Sequence, residues 1–135
     1  MNRTQVNQEM QQTFGFVPSF FKTVPEDALE SEWKLFKRDE MTEGPVPLKY
    51  RHLIGLSVAA TIKCKYCLFF QTEMAKLSGA TDAEIEDALR YTKCTVGWSA
   101  YLTGLQTDYD QFKKEVIEAC EHVKTSMKQP VGAHR

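Results

Sequence analysis

Net charge is almost absent: 17 Lys and Arg stand against 18 Asp and Glu, a formal balance of −1. Without a basic excess the chain offers no electrostatic footprint for nucleic acid. Long hydrophobic runs are missing as well. The longest, Leu53 to Ile62, is too short to span a bilayer. The first residues show no basic stretch followed by an apolar one, so no secretory signal is read. These absences make a cytoplasmic location the expectation, with no membrane partner. No segment alternates polar and apolar residues with period two, which argues against strands and for an all-α domain. No internal repeat, low-complexity tract or nucleotide-binding motif is present, and no cofactor is expected.

A chain of 135 residues can bury a sufficient core as one domain, read here as 1–135. Residues 1–14 read as an N-terminal arm or a short helix, with Val6, Met10 and Phe14 at helical spacing. Gly15 to Phe21 is too aromatic for a solvated loop and should pack on the domain or on a partner subunit. Glu26 to Arg38 reads as a helix with Leu29, Trp33 and Phe36 on one stripe. Pro47 can open the next helix, which runs to about Ile62. A helix follows Cys67 and ends at Gly79, a good C′ residue. Thr81 and Glu84 form a capping box for a helix reaching about Cys94. Further helices are expected over roughly 95–105 and, capped by Asp108 or Asp110, to about Met127. Residues 130–135 read as a disordered tail.

The chemistry concentrates at Cys64-Lys65-Tyr66-Cys67, at a junction between two helices. In a reducing compartment an oxidised Cys-x-x-Cys pair is catalytic or transient rather than structural. The thiolate is the attacking species. Cys64 stands at a helix N-terminus beside Lys63 and Lys65, where dipole and cations favour ionisation. Two readings compete with redox chemistry. The pair can be ordinary buried cysteines. With His52 it can supply three zinc ligands, but no second Cys-x-x-Cys and no His-x-x-x-His completes the set. Cys94 and Cys120 stand alone and read as core filler. Tyr66 should pack or hydrogen-bond at the mouth of a pocket. Trp98 and Tyr101 are candidates for the same lining, with plain core packing as the alternative.

The order helix, Cys-x-x-Cys, helix, Gly79-Ala-Thr, acidic helix start resembles the AhpD-like, carboxymuconolactone decarboxylase superfamily. The residues that carry the resemblance are Leu53-Ile-Gly-Leu-Ser-Val-Ala-Ala60, Cys64-Lys-Tyr-Cys67, Thr72-Glu-Met-Ala-Lys76 and Gly79-Ala-Thr-Asp-Ala-Glu-Ile85. Looser agreement runs through Phe16 to Phe21 and Trp98 to Gly104. The resemblance implies an AhpD-like helical domain that assembles as a homo-oligomer, a trimer or hexamer. It also implies a proton relay of Glu, twelve residues before the first cysteine, and His, four after the second, acting on the second cysteine. In this chain those positions hold His52 and Gln71. Gln cannot take a proton; His can act as a base near neutrality.

The expected activity is therefore that of a thiol–disulfide oxidoreductase or alkylhydroperoxidase-type peroxidase, with site residues Cys64, Cys67, His52 and Gln71. Local electrostatics favours Cys64 as the attacking sulfur, and the resemblance favours Cys67. The substrate would be a peroxide or disulfide, and a partner protein or small thiol would return the electrons. A degenerate, non-catalytic assembly or binding protein on the same fold is the alternative. Lactone decarboxylation is disfavoured, because decarboxylase relatives lack the cysteine pair.

Overall fold

Val6, Met10 and Phe14 do wind into a helix, α1 (Arg3–Phe14), in the computed structural model, which describes residues 1–128. Asn2 caps it through the Gln5 N–H, and Gln5 returns the bond to the Asn2 N–H. The segment is no arm: Val6 and Met10 are wholly buried. The short α2 (Ser19–Lys22) follows, then α3 (Glu26–Phe36), which brings Leu29 and Trp33 into the same core as Phe21. Phe14 and Phe21 each set their ring edge-on to Trp33 at 5.6 Å, a favoured aromatic geometry. The buried indole N–H donates to Glu9 at 2.8 Å, so the ring enters the core with its polar group satisfied.

Glu26 to Arg38 was expected to be one α-helix. Instead α3 gives way at Lys37 to a π-helical turn, Lys37–Met41. Such turns are rare and usually occupy a single turn. The next helix, α4 (Leu48–Thr61), starts after Pro47, which stands at its N-cap. Helix α5 (Lys65–Leu77) packs back along α4. Between the two, Lys63 takes the left-handed conformation, with φ of 58°. The Cys64 N–H then reaches the Ala59 carbonyl at 3.0 Å and the Lys63 N–H reaches Ala60 at 3.3 Å. This is the pairing of a Schellman cap with lysine where glycine is usual. The same pairing closes α5, here with Gly79 at φ of 92° and the Ala80 N–H on Ala75 at 2.9 Å.

Thr81 caps α6 (Asp82–Gly104) through the Glu84 N–H at 3.0 Å. Glu84 turns to Lys49 of α4 at 2.8 Å, and Thr92 donates to Ser57 at 2.7 Å. The two helices expected on either side of Cys94 are one: Gly97 lies inside α6 without breaking it. Asp108 caps α7 (Tyr109–Lys128) through the Gln111 N–H at 2.7 Å. The chain divides into two compact units, Met1–Thr92 and Lys93–Arg135. The first holds both cysteines of the pair. In the second, Trp98 and Tyr101 meet edge-on at 6.1 Å. The fold is all-helical, with no strand among the described residues. No helix among the described residues is long and apolar enough to cross a membrane. The tail expected over 130–135 lies outside the described residues.

Candidate functional site

Cys64 is the N-cap of α5. Its backbone is extended, and its sulfur accepts the Cys67 N–H at 3.2 Å. A helix start leaves its first N–H groups without partners inside the helix, so a sulfur placed there meets donors by construction. Cys64 is held below the usual thiol range, first by a hydrogen bond from the Cys67 thiol, then by the N–H groups of Cys67 and Tyr66. Cys67 is pushed up by the same bond, which needs its proton, and by burial and the nearby charges of Cys64 and Glu40. The two thiols are thus shifted in opposite directions, Cys64 toward the thiolate and Cys67 toward the protonated form. The lysines expected to drive this do not. Lys65 turns its ammonium over the Tyr66 ring, 5.3 Å from its centre.

His52 was expected at the polar end of α4. It is wholly buried. Its Nδ1 lies 2.9 Å from Gln71 Oε1, and its Nε2 lies 3.2 Å from the Glu40 carbonyl oxygen. The Glu40 carboxylate closes the group, with Oε2 at 3.4 Å from both His52 Nδ1 and Gln71 Nε2. The two positions that depart from the relay are therefore hydrogen-bonded to each other, and a third residue joins them. Gln71 has room because Gly55 lies beneath it; a Cβ there would come within 2.5 Å of the Gln71 Cδ.

Glu40 was missed in the sequence. It sits in Lys37-Arg38-Asp39-Glu40, which reads as a charged helix end, and a π-turn has no composition signal of its own. Arg51, also missed, fixes that turn. Its guanidinium donates to the carbonyls of Arg38, Asp39, Thr42 and Val46 at 2.8–3.3 Å. Adjacent residues of α4 thus hold the turn and the segment after it: Arg51 takes the Arg38 and Asp39 carbonyls of the turn and the Thr42 and Val46 carbonyls beyond it, and His52 meets the Glu40 carbonyl. Only the glycine at 55 could have hinted at this site, since a glycine inside an apolar helix often marks a close approach.

Over Cys67 opens an apolar cavity of about 770 Å³, lined by Phe20, Phe36, Tyr66, Phe69 and Phe70, with Glu40, Lys65, Cys67 and Gln71 supplying its polar wall. Tyr66 is thus in the lining; Trp98 and Tyr101 belong to the second unit. All four cysteines are free thiols, and Cys94 and Cys120, expected as core filler, are exposed. No group of three His, Cys, Asp or Glu side chains among the described residues is arranged to hold a metal ion, so His52, Cys64 and Cys67 do not form the zinc set weighed from sequence.

Fold and site together define a helical protein with a cysteine pair at a helix start, beside an apolar cavity. The chain belongs to the carboxymuconolactone decarboxylase family, whose model matches residues 28–107, more than half of its length. Among solved structures it is similar to the alkylhydroperoxidase AhpD core from Rhodospirillum rubrum. Identity is 24% over 80% of this chain and 82% of that one, with a TM-score of 0.69. It is also similar to a carboxymuconolactone decarboxylase homologue from Burkholderia xenovorans, at 18% identity over 86% and 94% of the two chains, with a TM-score of 0.55. At these identities the likeness is one of fold. No curated protein matches the chain.

Proposed function

We propose that this chain is a thiol–disulfide oxidoreductase of alkylhydroperoxidase type, with Cys64 and Cys67 as its redox pair. One observation carries the reading: the Cys64 sulfur accepts the Cys67 N–H at the start of α5, so one sulfur is prepared as thiolate while its neighbour keeps a proton. Cys64 attacks first. With a disulfide, its thiolate forms a mixed disulfide and expels one thiolate; Cys67 gives up its proton, attacks the Cys64 sulfur and expels the second. With a hydroperoxide, the Cys64 thiolate takes one oxygen and the alkoxide leaves with a proton as alcohol. The Cys67 thiol then condenses with the sulfenic acid and water leaves. Either route removes two electrons from the pair.

A partner protein or small thiol supplies those electrons back, in the reducing environment of the cytoplasm. The aromatic lining of the cavity supports an apolar hydroperoxide or disulfide as substrate. An organic hydroperoxide should therefore oxidise the reduced protein faster than hydrogen peroxide does, and peptide mapping should find the Cys64–Cys67 bond. Free thiols at both positions after such treatment would turn the reading toward a non-catalytic binding protein. We further propose that the chain assembles as a homo-oligomer, a trimer or hexamer. Phe16 and Phe20 are exposed, as are Phe112, Val116, Val123 and Met127 along one side of α7. Light scattering that gives a monomer at all concentrations would end that part.

A further inference from the structure

We propose that the cavity over Cys67 takes the anion of a long-chain fatty-acid hydroperoxide, with Lys65 holding the carboxylate and the chain running past Phe20 into a second cavity. The inference rests on the redox reading and names the substrate class of that site.

Lys65 is the one cation in the cavity lining, whose other polar residues are Cys67, Gln71 and Glu40. Among the described residues no carboxylate lies within ion-pair reach of its ammonium. The ammonium rests over the Tyr66 ring, 5.3 Å from its centre. A cation over an exposed ring gains little, and its outer side stays open to an anion. Tyr66 and Phe69 are 77% and 72% exposed and mark the mouth of the cavity, whereas Phe36, Phe70 and Glu40 are half-buried and mark its floor. An aromatic wall with one ammonium at the mouth matches an apolar chain with one anionic end. A single ammonium suits a carboxylate better than a phosphate, which collects several donors. The N–H groups at the start of α5 that could join Lys65 are turned to the Cys64 sulfur.

The groove does not end at Phe20. Phe20, Phe36 and Glu40 also line a second cavity of about 440 Å³, whose other apolar walls are Phe21, Val24 and Leu35. Its remaining residues, Glu32 and Asp39, are acidic, and only Asp39 meets a cation, Arg38 at 2.8 Å. The joined groove has a positive end beside the thiols and a negative end away from them. A fatty acid then has one orientation, with its head at Lys65 and its tail toward Leu35. The tail crosses the cavity that Cys67 lines, so a hydroperoxide carried part-way along the chain is presented to the pair. The Cys64 thiolate takes the terminal oxygen, the O–O bond breaks, and the alkoxide takes up the proton that Cys64 gave to solvent. The Cys67 thiol condenses with the sulfenic acid and water leaves. Dithiol and hydroperoxy acid become disulfide, hydroxy acid and water.

Binding and rate test this separately. Calorimetry on the reduced protein compares octanoate with 1-octanol. Octanoate should bind about fivefold more tightly at low salt, the worth of an exposed ion pair, and added salt should erase the difference. Lys65→Gln should remove it, and Lys63→Gln, outside the lining, should not. Dodecanoate should bind more tightly than octanoate, and Leu35→Asp should cut that gain. Rapid mixing then compares a hydroperoxy-octadecadienoic acid with its methyl ester. At low substrate concentration the acid should oxidise the pair about fivefold faster, and Lys65→Gln should bring the ratio near one. If octanoate has no advantage over octanol, or keeps it in Lys65→Gln, the inference falls. Cumene hydroperoxide, which has no acid group, tells the two readings apart. If it forms the Cys64–Cys67 bond while the fatty acid gains nothing over its ester, the inference falls and the redox reading stands. If no hydroperoxide forms that bond, both fall.

Discussion

The Gln71 amide rests on the bare Cα of Gly55: a Cβ built there would stand 2.5 Å from Gln71 Cδ and 2.8 Å from both amide terminal atoms. Real Cβ atoms do not approach so closely, so Gly55→Ala must push the amide away from His52. The fold should tolerate this. The displaced group is the end of a flexible side chain, and alanine is favoured over glycine inside a helix by about 1 kcal/mol. We expect thermal stability unchanged or slightly raised, with release of the second leaving group slowed about tenfold or more. An equal loss of stability and rate would make Gly55 a packing residue only.

The two thiols should respond in opposite directions when separated. Removing the Cys67 thiol with Cys67→Ala takes away the largest cause of the low Cys64 pKa, so the alkylation curve of Cys64 should move to higher pH. Removing Cys64 with Cys64→Ala takes away the largest cause of the high Cys67 pKa, so the curve of Cys67 should move to lower pH. In the wild type, iodoacetamide should label Cys64 first below the ordinary thiol range of about 8.5. Labelling of Cys67 before Cys64 would reverse the assignment of the attacking sulfur.

Arg51 binds two carbonyls of the π-turn, those of Arg38 and Asp39, and two just beyond it, those of Thr42 and Val46. Arg51→Ala should destabilise the protein by about 1–2 kcal/mol, the worth of charge-assisted hydrogen bonds partly replaced by water. Arg51→Lys should recover little of this, because an ammonium cannot span the carbonyls that the planar fork reaches. Both variants should also slow the resolving step, since the turn that carries Glu40 against His52 loses its mounting. Chemical denaturation and stopped-flow measurement on the same samples will show whether the two losses travel together.

Lys63 separates two explanations of the Cys64 thiolate. Its left-handed backbone costs about 1–2 kcal/mol for a residue with a Cβ, and glycine adopts that conformation freely. Lys63→Gly should therefore raise stability by up to about 1 kcal/mol. It should leave the pH curve of Cys64 alkylation in place, since the donors at the helix start hold the sulfur. A shift of that curve to higher pH would return the lysine charge to the argument.

Much of the fold was legible because its signals are local. The Gly79 cap, the Thr81 cap and the Asp108 cap each follow from side-chain chemistry next to the residue concerned. The site was legible only in part. Cys64 and Cys67 show themselves by spacing, and Gln71 by its place one turn beyond Cys67. Glu40 does not, because it reaches His52 across twelve residues of chain through a turn that no residue type announces. Nor did the sequence show that His52 would be buried, since it stands between Arg51 and Leu53 in a helix whose polarity changes along its length. The continuous α6 was misjudged for the opposite reason: Gly97 weakens a helix locally, but its neighbours on both sides sustain it.

A π-turn is one surplus residue wound into an α-helical spiral. Each residue of an α-helix advances about 100° around the axis, so everything past Lys37 faces a direction that an uninterrupted α3 would not give it. Glu40 looks toward His52 by virtue of that offset. Removing one residue from 37–41 would leave both thiols, the histidine and the cavity in place, yet aim the carboxylate elsewhere. For this protein the phase of a helix is thus a chemical variable, set by counting residues rather than by changing any of them.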